Sequence, residues 1–398
     1  MTTDQPSTAV PTAAGRPHAT TGGTTGGTIG AGSAAGTGAT AAPPAARAPY
    51  SRLDRLFTAL TRHPFSLYGA ATLRIGYGLC YLAFLLREFP HREEIWGPDA
   101  PWTPALARAL FRETGWFSFL TLSDGRAYFN VCYVFALAVC ALFLLGWRTR
   151  LTSVLFAVVV AAFHARAVFM TDGGDNLLLL MSIYLTGTAC GRRWSLDARR
   201  KARRARTGAA DRWALSRASS DLWCRLAEVR TSLVTTAHNC AMFVIAAQVC
   251  LLYGSAGLYK VQGGTWQNGT ALHYVVNLDL FRPWPALSTL VDGYPLFIAV
   301  SSYLAVLIQV AFPFALFSRL KYVLLALLLG MHLGIAVLMG LPVFSGAMII
   351  ADAAFIPDRF YRAAADGCRR AAGRLRRRPL APRAAVVPAQ PREAEPVR

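Results

Sequence analysis

Lysine is almost missing from this chain. Of 41 basic residues only Lys201, Lys260 and Lys321 are lysines; the other 38 are arginines. Acid is scarce as well, 21 Asp and Glu in 398 residues, and charged residues of all kinds make up 16% against 54% hydrophobic. So little charge, with a mean hydropathy of +0.36, excludes an ordinary soluble domain and fits a polytopic membrane protein. The net charge of +20 does not point to nucleic acid. The arginines lie in blocks between apolar runs rather than among stacking aromatics, so no nucleic-acid partner is expected. Their abundance beside alanine and glycine suits a GC-rich bacterial genome. Also missing are CxxC, HxxxH and HExxH patterns, so no metal site is expected. None of the eight cysteines falls in an expected outer loop, so no disulfide framework is expected.

The residues that are present divide into spans and connections. Residues 1–50 are Ala, Gly, Thr and Pro with few large apolar side chains, the composition of a disordered tail without a signal-peptide core. A span takes roughly 20 mostly apolar residues. Candidates run over 65–86, 127–146, 151–170, 176–190, 234–257, 295–317, 320–341 and 343–357, of which the fourth and eighth are short. Alternating the connections puts 32 basic residues on one side and 7 on the other, with Arg74 and Arg166 inside spans. The positive-inside rule then makes both termini cytoplasmic. The expected architecture is an all-α transmembrane bundle of about eight spans over 51–360, with a basic cytoplasmic loop at 191–230 and a disordered basic tail at 361–398. It belongs in the cell membrane as a multi-pass protein, with lipids as partners.

Ionisable groups at membrane depth are expensive and face the bundle interior. Arg74 and Asp352, at similar expected depth, are read as a structural ion pair. His164 and Arg166 sit just inside the outer end of the third span, ahead of Asp172 and Asp175 in a Gly-Gly turn. Helix capping accounts for the two acids but not for the histidine and arginine. Either they share a functional pocket with Lys260 at the outer face, or they are packing. His332 lies in GMHLG, where Gly330 and Gly334 would allow close helix approach and the histidine would be a hydrogen-bonded packing residue or a catalyst. Gln248 and Gln309 are milder polar intrusions. Lys260 ends a long apolar run. Arginine keeps its proton, whereas a partly desolvated lysine can lose it and act as a base.

Three segments carry a resemblance: YGSAGLYKVQGGTWQNG at 253–269, DGGDNLLLLMSIYLTGTACGRRWSLD at 172–197, and MHLGIAVLMGLPVFSGAMIIADAAFIP at 331–357, with a weaker likeness in IWGPDAPW at 95–102. Together they resemble the HTTM (horizontally transferred transmembrane) family, which includes the membrane domain of the vitamin K-dependent gamma-carboxylase and proteins like sporulation-delaying protein B. The likeness covers roughly 60–360. It implies that Lys260 is the catalytic base on a lipophile, with a quinone or quinol as the cofactor class. Asp175 and His164 are then further catalytic candidates, and Arg166, Tyr253, Trp266 and His332 line the substrate. Departures limit the analogy. Asp175 stands where the carboxylase has a functional histidine, and the stretch from Lys260 to Trp266 is one residue longer. Nothing after 357 reads as a large lumenal domain, so carboxylation of a protein substrate is not expected. The alternatives are an accessory membrane protein that helps mature or export a small secreted peptide, alone or with a partner membrane protein, and a small transporter or lipid-binding protein.

Overall fold

The computed structural model describes residues 52–207 and 221–376. Both expected tails fall largely outside these residues. These residues belong to one unit, and among them the secondary structure is helical, with no strand. Eleven helices organise it: α1 Arg52–Arg62, α2 Leu67–Arg87, α3 Arg126–Leu145, α4 Thr149–Arg166, α5 Gly173–Thr186, α6 Leu196–Arg206, α7 Asp221–Val261, α8 Pro295–Ala315, α9 Leu320–Leu338, α10 Pro342–Asp352 and α11 Asp358–Arg376. Further helices, among them Pro104–Thr114 and Ala271–Asn277, fill the connections.

Six of these helices, α2, α3, α4, α7, α8 and α9, are long and apolar enough to cross a membrane. The fourth and eighth candidate spans form the short helices α5 and α10, of 14 and 11 residues. Large apolar side chains such as Phe135, Phe243, Leu307, Phe314 and Leu333 stay exposed on the long helices. So much exposed apolar surface suits lipid and not water. Two expected boundaries change. Residues 358–376 are helical rather than a disordered tail, and the basic loop carries α6 and the first turns of α7. Amphipathic periodicity in DRFYRAAADGCRRAAGRLR is the local cause: Tyr361 is buried while the arginines described beside it lie outside.

The core lies between α2, α3, α4, α5 and α10 and is aromatic, with Tyr77, Tyr81, Tyr133, Phe143, Phe156 and Phe163 buried. Phe143 and Phe156 stack with centroids 4.4 Å apart. On the other flank α7 packs along α8, where Gly257 lets the helices approach closely: a Cβ there would meet Val310. Gly330 and Gly334 do not play that part, because nothing among the described residues lies within 4 Å of a Cβ at either position.

One end of the bundle, rich in basic residues, is closed by buried polar contacts. His238 accepts from the Ala189 N–H through Nδ1 and meets the Phe65 carbonyl through Nε2, which sets its tautomer. Asn239 donates to the carbonyls of Leu60 and His63 and accepts from the Phe65 N–H. The WSLD segment closes the turn between α3 and α4. Ser195 caps α6, and Asp197 accepts from the N–H groups of Arg148 and Thr149 and from the Thr149 hydroxyl. Arg148 and Trp194 both adopt left-handed backbone conformations, which only a surrounding hydrogen-bond net sustains.

Burial pushes the Asp197 carboxyl up, but the bonds from Thr149 and Arg148 outweigh it and hold it below the ordinary carboxylate range. A depressed folded value stabilises the fold above the unfolded pKa of about 3.9, and that contribution is lost as pH falls through the folded value. Asp197→Ala leaves these donors unpaired and is expected to cost about 1–3 kcal/mol near neutral pH. Melting in detergent should show the gap to wild type closing under acid; a gap that persists there refutes this role.

Candidate functional site

Two arrangements divide the residues expected to share one outer pocket, and a third lies in the bundle interior. The first is a cavity of about 280 Å³ between α2, α4, α5 and the start of α10, whose walls include Glu88, Trp96, His164, Asp172, Asp175 and Phe344. Its shape follows from local sequence. Asp172 caps α5 by accepting from the N–H groups of Gly174 and Asp175, and Asp175 accepts in return from the Asp172 N–H, a reciprocal capping box. Gly174 is required because a Cβ there would lie 2.7 Å from Phe344 Cα. His164 is buried, lies near-parallel to Trp116 at 6.2 Å, and has no partner for Nδ1 among the described residues.

Arg166, fully buried, turns away from this cavity. It donates to the carbonyls of Trp102 at 2.6 Å and Gly97 at 2.8 Å, so it holds the IWGPDAPW loop against α4. Its partners are backbone carbonyls and not Asp175, because the capping box already claims the aspartate and the loop offers carbonyls that have no helical partner.

The second arrangement surrounds Lys260. Its Nζ donates to Gln309 Oε1 at 3.0 Å and to the Ala256 carbonyl at 3.4 Å, and it sits 5.3 Å from the centroid of the Trp266 ring. Among the described residues no carboxylate lies within 4.0 Å of it, and it does not line the 280 Å³ cavity. The expected companionship of Lys260 with His164, Arg166 and Asp175 is therefore corrected. His164 and Asp175 share the cavity, while Lys260 faces α8 because Gly257, one turn earlier, seats α7 directly on Val310 and Gln309.

Third comes a buried chain of three side chains from three helices. The Tyr253 hydroxyl lies 3.1 Å from His332 Nε2 and donates to Asp352 at 3.0 Å to Oδ2 and 3.1 Å to Oδ1. Phe312 and Phe355 pack edge to face beside it. The Arg74–Asp352 ion pair does not form. Arg74 reaches instead to the carbonyls of Phe143, Leu144 and Trp194 at the basic end. The physical reason is that a helix C-terminus presents carbonyls without partners and a negative dipole end. Asp352, one turn from the end of the apolar run, faces α7.

Gln309 is the residue whose importance sequence reasoning underrated. A lone amide inside the apolar α8 run was the available signal, but nothing in the chain pairs it with Lys260. Glu88 also lines the cavity. Compared with family models, with curated proteins and with solved structures, the chain matches none of them.

Proposed function

We propose that the protein is a multi-pass membrane enzyme of the HTTM kind that acts on a lipophilic acid, a quinol by class, with Lys260 as the base. The observation that carries this reading is the set of partners around Lys260: a neutral amide, a backbone carbonyl and an aromatic face. An amine held this way breaks no ion pair when it becomes neutral, and its lone pair can take the proton of a phenolic hydroxyl. The products are a phenolate and an ammonium, and the ammonium is received by Gln309 Oε1, the Ala256 carbonyl and the Trp266 ring. The aromatic and aliphatic side chains exposed on the segment after Lys260, Tyr274, Leu280, Trp284 and Tyr294, suit the approach of a lipophile from the bilayer interface. In this reading the basic end faces the cytoplasm of the cell and Lys260 works near the outer face.

The scarcity of lysine makes the test direct. Acetylation of the protein in lipid vesicles by a small membrane-permeant amine reagent can be read at each of three lysines by mass spectrometry. Near neutral pH, Lys260 is expected to react faster than exposed Lys201, and a short-chain quinol is expected to protect it. If Lys260 reacts no faster than Lys201, or the quinol gives no protection, the base reading fails and an accessory role in maturing or exporting a secreted peptide takes its place.

A further inference from the structure

The chain Asp352–Tyr253–His332 is not needed for a base at Lys260, yet it gathers three ionisable groups from α10, α7 and α9 in the bundle interior, each less than a tenth exposed. Polar groups buried at this depth are expensive unless satisfied. The hydrogen atoms available show how these are satisfied. Both Asp352 oxygens face one phenol, Tyr253 has one proton to give, and no basic side chain among the described residues pairs with the carboxylate.

With Asp352 ionised, the Tyr253 O–H donates to the carboxylate, so His332 must donate its Nε2–H to the phenol oxygen. Nδ1 is then a bare lone pair, and Nδ1 is the atom that lies buried without a partner among the described residues. His238 makes a useful contrast, since both of its ring nitrogens are engaged. The buried chain therefore has an open acceptor at one terminus and an acid at the other.

We infer that His332, Tyr253 and Asp352 form a proton relay in which Asp352 is the proton store. A proton from water adds to His332 Nδ1, the Nε2 proton passes to the Tyr253 oxygen, and the Tyr253 proton passes to Asp352. Afterwards His332 is neutral with its hydrogen on Nδ1, Tyr253 donates to Nε2, and the carboxylic acid donates to the Tyr253 oxygen. One proton has entered, one negative charge has gone, and only N–H and O–H bonds have been made or broken. The side from which the proton enters is the outer cavity. Phe344 packs edge to face on His332 at 5.9 Å and also lines that cavity. Other titratable groups near the relay are Tyr77 on α2, whose hydroxyl donates to the Ala347 carbonyl, Tyr361 on α11, which donates to the Ala353 carbonyl, and Lys260 on α7, whose charge reaches His332. The inference stands on this geometry alone and holds whether or not Lys260 acts as a base.

Infrared difference spectroscopy of the full protein in lipid vesicles tests it. A carbonyl stretch of a protonated carboxyl should appear as pH is lowered, and Asp352→Glu should shift it, which assigns the band. Tyr253→Phe keeps the ring and removes the relaying hydroxyl. It should leave the band in place but slow its appearance after a pH jump roughly 100-fold. His332→Gln should slow it in the same way, and is read alone if Tyr253→Phe does not accumulate. An Asp352 band indifferent to pH overturns the relay. So does uptake in the hydroxyl-deleted variant as fast as in wild type.

Discussion

Arg74→Met is expected to prevent the basic end of the bundle from closing. The guanidinium is fully buried and donates to the carbonyls of Phe143 and Leu144 at 3.1 Å and of Trp194 at 2.6 Å. The Leu144 carbonyl, at the end of α3, and the Trp194 carbonyl, in WSLD, have no helical N–H to accept from, whereas that of Phe143 also accepts from the Gly146 N–H at 3.0 Å. Methionine fills much of the volume but leaves the Leu144 and Trp194 carbonyls as acceptors facing apolar surroundings. At about 1–3 kcal/mol for each of these two orphaned groups, the loss is about 2 kcal/mol or more, a large share of the roughly 5–15 kcal/mol by which a domain is stable. The expected result is a protein that reaches the membrane poorly and melts early in detergent. Arg74→Lys should recover only part of the loss, since one ammonium cannot reproduce a planar fork. A double variant with Asp352→Asn separates this geometry from an ion pair. Residues without shared partners add, and pairing residues do not. Non-additivity of the two changes would show that Arg74 and Asp352 interact after all.

Gly257→Leu should separate α7 from α8 and take Gln309 away from Lys260. Even a Cβ at position 257 would lie 2.7 Å from Val310 Cγ2 and 2.9 Å from the Val310 backbone nitrogen. Because the second of these is backbone, a rotamer change cannot relieve it. Overpacking of this kind costs about 1–3 kcal/mol, and leucine adds three more carbons to the clash. The local consequence is a Lys260 amine without its Gln309 contact, which acetylation of Lys260 reports directly as a changed rate. Gly254→Ala is the control one turn earlier, since a Cβ there meets Pro313 only at an ordinary 3.6 Å. Wild-type-like melting and labelling in Gly257→Leu would mean that the α7–α8 contact does not position Lys260.

Much of this arrangement was legible before any coordinates. Long apolar runs announce helices because every backbone polar group must be paired inside its own segment once water is excluded, and six of eight candidates form helices long enough to span. The short fourth and eighth runs stood out for the same reason. The capping of α5 was legible from Asp172 and Asp175, because an N-cap is a contact over three residues. What misled was inference at long range. Arg74 and Asp352 looked like partners because both seemed costly in an apolar medium. A helix C-terminus can satisfy an arginine with carbonyls, and a tyrosine can satisfy an aspartate; neither alternative leaves a charge pattern in the chain. Gly330 and Gly334 have the spacing of a packing motif, yet nothing among the described residues faces them.

By itself, then, the sequence determined the class of the protein, the positions of its apolar helices and the rarity of lysine, three among 41 basic residues. Those properties depend on composition and on contacts a few residues apart. Which polar groups meet was decided only by the tertiary structure. It separated Lys260 from the cavity of His164 and Asp175, gave Lys260 a neutral partner in Gln309, and joined Tyr253 to residues 79 and 99 positions away. The reason is geometric: helix rotation and close approach at single glycines such as Gly257 choose the facing residues, and neither quantity is written in the local pattern.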